Sequence, residues 1–138
     1  MADDRAGVLR RGVEAVVSGE ADALSDLFTE NVSGWSPNLM VSSLDELKEV
    51  TGHREDALSD VKLDVDALDI VGNKGYMEYR LSAVFSGPLT IDDETVLDPT
   101  GGKIEIGAAL VAEFEGDKIS AFRNYFDDLS LMEQLLVG

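Results

Sequence analysis

Cysteine is absent from the 138 residues, which removes disulfides, thiolate metal sites and thiol catalysis together. Histidine occurs once, at His53, leaving one side chain that ordinarily titrates near neutral pH. Cations are scarce: 11 lysines and arginines face 28 acids, for a formal charge of -17. No basic surface can be assembled from that inventory, so nucleic-acid binding is excluded and anionic ligands are disfavoured. The acidity itself reads as a solvated shell. No apolar run approaches the roughly 18 residues of a membrane span, and Met1 to Arg5 lacks the basic start and apolar core of a signal peptide. A cytoplasmic location with no membrane partner is expected. Proline is sparse, at three residues, and 44% of the chain is hydrophobic, which fits one globular domain over residues 1–138 with room for a core.

Val8, Gly12, Val13, Val16 and Val17 recur at helical spacing over residues 4–18, predicting an amphipathic first helix. A short second helix is expected over Asp22 to Phe28, then a strand around Val32 to Trp35 that stops at Ser36-Pro37-Asn38. Ser43-Leu44-Asp45-Glu46 has capping-box spacing for a third helix running towards Glu55. From Val61 the period becomes two: Val61, Leu63, Val65 and Ala67 alternate with polar residues before Leu68 and Ile70 break parity, which indicates a bulge. Tyr76 to Gly87 and Ile104 to Phe114 form further strands, joined by an acidic connection over residues 88–102. A Gly116-Asp117 turn leads to a last strand through Phe126 and a helix over Leu129 to Leu136. Helices followed by antiparallel strands with one strongly apolar face predict an α+β domain, its curved sheet wrapped around the helices.

Two strings carry a resemblance. Gly12-Val13-Glu14-Ala15-Val16-Val17-Ser18-Gly19-Glu20-Ala21-Asp22-Ala23-Leu24 through Phe28, and Asp117-Lys118-Ile119 through Arg123-Asn124-Tyr125-Phe126-Asp127, resemble the nuclear-transport-factor-2-like superfamily. The likeness is to its SnoaL-like polyketide cyclases, ketosteroid isomerases and limonene epoxide hydrolases, over nearly the whole chain. It implies a cone-shaped, usually dimeric fold holding one deep pocket; no cofactor and no metal are expected. In the epoxide hydrolase pattern, the water-activating aspartate of the last strand corresponds here to Asn124, between Phe122 and Phe126. An amide cannot accept that proton at neutral pH. The partner arginine and aspartate of that pattern fall on Leu81 and Ala83, or after a one-residue shift on Arg80 and Ser82; periodicity favours the first, because Met77, Tyr79, Leu81, Ala83 and Phe85 form one apolar face. The water-holding tyrosine and asparagine match Ser33 and Trp35. In the ketosteroid isomerase pattern the tyrosine falls on Gly12, the basic aspartate on Ser36, and the protonated aspartate near Ala109 or Leu110.

These substitutions point to a cavity protein for a small, mostly apolar, uncharged molecule, terpenoid, steroid-like or polyketide-like. Its expected lining comprises Trp35, Tyr79, Leu81, Phe85, Leu110, Phe122 and Phe126, with Asn124 as polar handle. A cyclase or isomerase with unfamiliar groups is the alternative, with His53 or Asp127 as base and Tyr79 or Asn124 as oxyanion donor; a dimerisation or partner-binding module is a third. Alternation puts Asp127 opposite Asn124, where it reads as a cap of the final helix. Arg80 reads as an outer-face partner of Glu105, Glu113 or Asp64. Asp92, Asp93, Glu94 and Asp98 lack calcium-loop spacing and read as a solvated loop. Gly107, Ala109 and Val111 form a flat outer patch suited to sheet-to-sheet homodimerisation.

Overall fold

A computed structural model describes residues 2–37, 39–53, 56–90 and 94–137. Helix α1 (Ala2–Ser18) leads through a 3-10 turn at Ala21–Asp26 into strand β1 (Phe28–Ser36), a short β2 (Leu39–Val41) and helix α2 (Leu44–Gly52). Then come β3 (Leu58–Val71), β4 (Lys74–Phe85), the two-residue strands β5 (Leu89–Thr90) and β6 (Val96–Leu97), β7 (Lys103–Glu115), β8 (Lys118–Phe126) and α3 (Asp128–Val137). Six strands form an unclosed sheet in the order β2-β1-β8-β7-β4-β3, and α1 packs against it. The α+β architecture expected from the helix-then-strand pattern is therefore the one adopted.

Several local details differ from expectation. The segment over residues 22–28 is a 3-10 turn ending at Asp26, and Phe28 already belongs to β1. Strand β1 runs parallel to β8, with Phe28 beside Ile119 and Trp35 beside Arg123, while the other strand pairs among the described residues are antiparallel. The bulge in β3 falls between Val65 and Ala67; it turns Ala67 outward and carries Leu68 and Ile70 back to the packed side. In the connection over residues 88–102, β5 and β6 pair as a separate two-stranded ribbon. The capping box is half formed: Ser43 accepts from the Glu46 N–H at 3.1 Å, but the Glu46 carboxylate accepts from the Ser42 hydroxyl at 2.7 Å. Glu55, the expected end of that helix, lies outside the described residues, as do Asn38, Asp92 and Asp93.

Strict alternation fixes β4, where Gly75, Met77, Tyr79, Leu81, Ala83 and Phe85 are buried and the residues between them face out. Its partner β7 buries Ile104, Leu110, Ala112 and Phe114 on the same side. Helix α1 approaches closely because Gly12 has no side chain: a β-carbon there would come within 3.1 Å of Ile119 and 3.2 Å of Phe28. Arg5 anchors the helix by donating to the carbonyls of Gly72 (2.6 Å) and Gly116 (2.9 Å), in the β3–β4 and β7–β8 turns. At the other end β8 stops opposite Ala108, and α3 takes its place. The Gln134 amide accepts from the Glu105 N–H at 2.6 Å and donates to the Glu105 carbonyl at 2.9 Å, reproducing a ladder rung with a side chain. Among the described residues no helix is long and apolar enough to cross a membrane.

Candidate functional site

Between the C-terminal half of α1, the concave side of the sheet, α2 and α3 lies a hollow of about 420 Å³. Val16, Val17, Leu81, Ile104, Ile106, Phe122, Phe126, Leu131, Met132 and Leu135 supply apolar walls, and Leu89 and Thr90 of β5 reach its edge. A smaller hollow of about 70 Å³ adjoins it towards Gly12, Phe28, Leu110 and Ile119. Val16, Val17, Tyr79, Phe122 and Asn124 line both. Phe122 stands edge-on to Phe28, ring centroids 5.9 Å apart.

Polar groups in the larger hollow are few: Ser36, His53, Tyr79, Thr90, Asn124 and Asp128. Tyr79 on β4 and Asn124 on β8 reach each other diagonally across β7, and the Tyr79 hydroxyl donates to Asn124 Oδ1 at 3.0 Å. The tyrosine proton is thereby directed at the amide, and the Asn124 NH₂ is the end of the pair with hydrogens to offer a ligand acceptor. His53 is exposed at the rim, where it ends α2 through its backbone N–H to the Glu49 carbonyl.

Of the expected lining, Tyr79, Leu81, Phe122, Asn124 and Phe126 face the larger hollow and Leu110 the smaller one. Trp35 does not. Alternation in β1 turns Val32, Gly34 and Ser36 inward, so Ser33 and Trp35 face out, and the indole, 36% exposed, lies 5.2 Å from the Tyr125 ring. Phe85 also leaves the lining, since it is fully buried behind the wall with Ala83, Ile104 and Leu135. Asp127 acts as the cap of α3, accepting from the Ser130 N–H at 3.1 Å; the residue that lines the hollow is its neighbour Asp128. Only the first helical turn separates the roles of these two aspartates. Arg80 is on the outer face as expected, but its partner is Asp66, at 3.1 Å, because the bulge after Val65 brings that carboxylate within reach. This hydrogen-bonded charge holds the guanidinium above its ordinary pKa. Glu105 pairs with Lys103, and Glu113 with Arg123.

The model of the SnoaL-like domain family matches residues 9–122. Solved structures share the fold. A proposed SnoaL-like polyketide cyclase from Jannaschia sp. superposes with a TM-score of 0.80 at 12% identity, covering 99% of this chain and 94% of its own. TsrD from Streptomyces laurentii gives 0.74 at 16% identity over 94% and 92%. An epoxide hydrolase of the LEH-like kind from M. tuberculosis gives 0.73 at 10% over 99% and 92%. No curated protein matches the chain.

Proposed function

The chain belongs to the SnoaL-like domain family, and from that premise we infer that it binds a small, mostly apolar molecule of terpenoid, steroid-like or polyketide-like shape in its hollow. The observation that carries this reading is the apolar chamber of about 420 Å³ with the Tyr79–Asn124 pair set into its wall. Such a chamber takes apolar bodies by burial and orients them through few polar contacts. The Asn124 NH₂ suits a carbonyl or ether oxygen on the ligand. A hydrolytic role is not part of this reading. At the last-strand position where the epoxide hydrolase pattern has its base stands an amide, and the isomerase tyrosine position, Gly12, is closed by Ile119 and Phe28.

A thermal-shift screen of apolar ketones of these three shapes tests the reading. A ligand at a hundred times its Kd stabilises the fold by about 2.7 kcal/mol, so hits raise the melting temperature by several degrees. Asn124→Leu weakens a ketone hit roughly tenfold, the worth of one hydrogen bond to a buried donor, while a hydrocarbon of the same shape binds both proteins alike. A screen without stabilisation, with no small molecule carried through native mass spectrometry, overturns it.

The outer sheet face supports a homodimer within the same reading. On that face Tyr125 (46% exposed) lies beside Ala109 and against Trp35, and Tyr76 beside Val111, an apolar strip bordered by Arg80 opposite Gly107 and Glu78 opposite Ala109. Light scattering is expected to give twice the chain mass for the wild type and the single mass for Tyr125→Glu. A monomeric wild type refutes this arrangement and leaves the hollow unaffected.

A further inference from the structure

The hollow contains a carboxylate that neither the fold nor the proposed contact through Asn124 uses. Asp128 opens α3 and lines the chamber. One of its carboxylate oxygens is buried and has no hydrogen-bond partner among the described residues. Capping does not account for it, because the Ser130 N–H is already taken by Asp127. Among the described residues that line the hollow there is no lysine or arginine to pair with it, and His53 is exposed at the rim. A carboxylate oxygen only accepts, and one withdrawn from water without a donor is unfavourable. The residue as a whole is half-buried and borders the chamber, so a turn of the side chain brings the carboxylate to a donor entering there and recovers that free energy.

We propose that Asp128 recognises a hydrogen-bond donor on the ligand, a hydroxyl or an ammonium group, at the end that lies against α3. This rests on the reading of the chamber as a ligand site and adds a second pole to it. Asn124 offers donors from β8; Asp128 lies four residues further along the chain, so the two Cα atoms are at most roughly 14 Å apart. The ligand is thereby defined as an apolar body with an acceptor near one end and a donor near the other. The uncharged ligand expected from the sequence gives way to one whose donor pole is either neutral or cationic. The chain's formal charge of -17 favours the approach of the cationic form.

Three probes on one carbon skeleton test this: cyclohexylcyclohexanone, its hydroxycyclohexyl counterpart and its aminocyclohexyl counterpart, titrated calorimetrically into wild type, Asp128→Asn and Asp128→Leu. In the wild type the donor-bearing ketones bind roughly tenfold to a hundredfold more tightly than the parent, as expected of a hydrogen bond to a charged acceptor. Asp128→Leu removes that gain, so the three ketones bind this variant with similar affinity. Asp128→Asn, which keeps the shape, removes the gain for the ammonium probe and part of it for the hydroxyl probe. A larger wild-type gain for ammonium identifies a cationic ligand, and one at least as large for hydroxyl a neutral one. If the parent binds but the donors add nothing, or their gain survives in Asp128→Asn with wild-type melting behaviour, the role of Asp128 is refuted and the chamber reading stands. If none of the three binds, both fall.

Discussion

Truncating Phe85 to alanine lowers stability by about 3 to 5 kcal/mol, a fall in melting temperature of roughly 10 to 20 °C for a chain of this size. The ring is fully buried among Ala83, Ile104 and Leu135, behind the wall of the hollow, so its removal leaves a void lined by groups that ladder hydrogen bonds hold in place. Relaxation is limited there: the Phe85 N–H donates to the Gly102 carbonyl at 2.9 Å and its own carbonyl accepts from Gly101 at 2.8 Å. Phe126→Ala is the contrasting variant. Phe126 is half-buried and borders space that already exists, so its truncation enlarges the hollow and costs less than half as much. Denaturant unfolding of the two variants measures the difference. Equal costs, or a Phe85 variant altered in ligand affinity but not in stability, would place that ring in the wall.

Gly34→Val is expected to abolish ligand binding and destabilise the fold together. A β-carbon on Gly34 would lie 2.1 Å from Phe122 Cζ and 2.6 Å from Cε1, far inside van der Waals contact, so the ring must move. The ring lines both hollows and is packed edge-on to Phe28, so a displaced Phe122 intrudes on the chamber. Overpacking of this kind costs about 1 to 3 kcal/mol. Adding Phe122→Ala to Gly34→Val makes room for the valine, and the double variant recovers stability relative to the sum of the singles. A Gly34→Val protein with wild-type melting and ligand affinity contradicts the packing described.

Legibility in the sequence followed regularity. The period-two pattern of β4 and β7 placed Tyr79, Leu81 and Leu110 on the inner side correctly, because no bulge interrupts those strands and one packed face enforces the parity. The same alternation gave Phe85 its face but not its depth, which depends on α3 covering the sheet end from distant sequence. Trp35 faces out because in β1 the inward positions fall on Gly34 and Ser36, and at Gly34 Phe122 leaves no room for a side chain. Strands of two residues, such as β5 and β6, carry no period to detect. Asp128 was hidden by its neighbour: both aspartates fit a helix start, and only the turn from strand to helix separates the cap from the chamber. The partner of Arg80 depended on where the β3 bulge fell, and parity breaks a residue or two late in the sequence.

The Gln134 rung bears on how separately the chamber's two sides are held. Helix α3 carries Asp128, Leu131, Met132 and Leu135 into the chamber, and it is clipped to the sheet margin through one side-chain amide gripping the Glu105 backbone. Changes at Leu131 or Met132 therefore reshape the chamber without breaking any strand pairing. The sheet and α1 hold one another through paired strands and a packed core, whereas the ten residues of α3 form a detachable faceplate of the chamber.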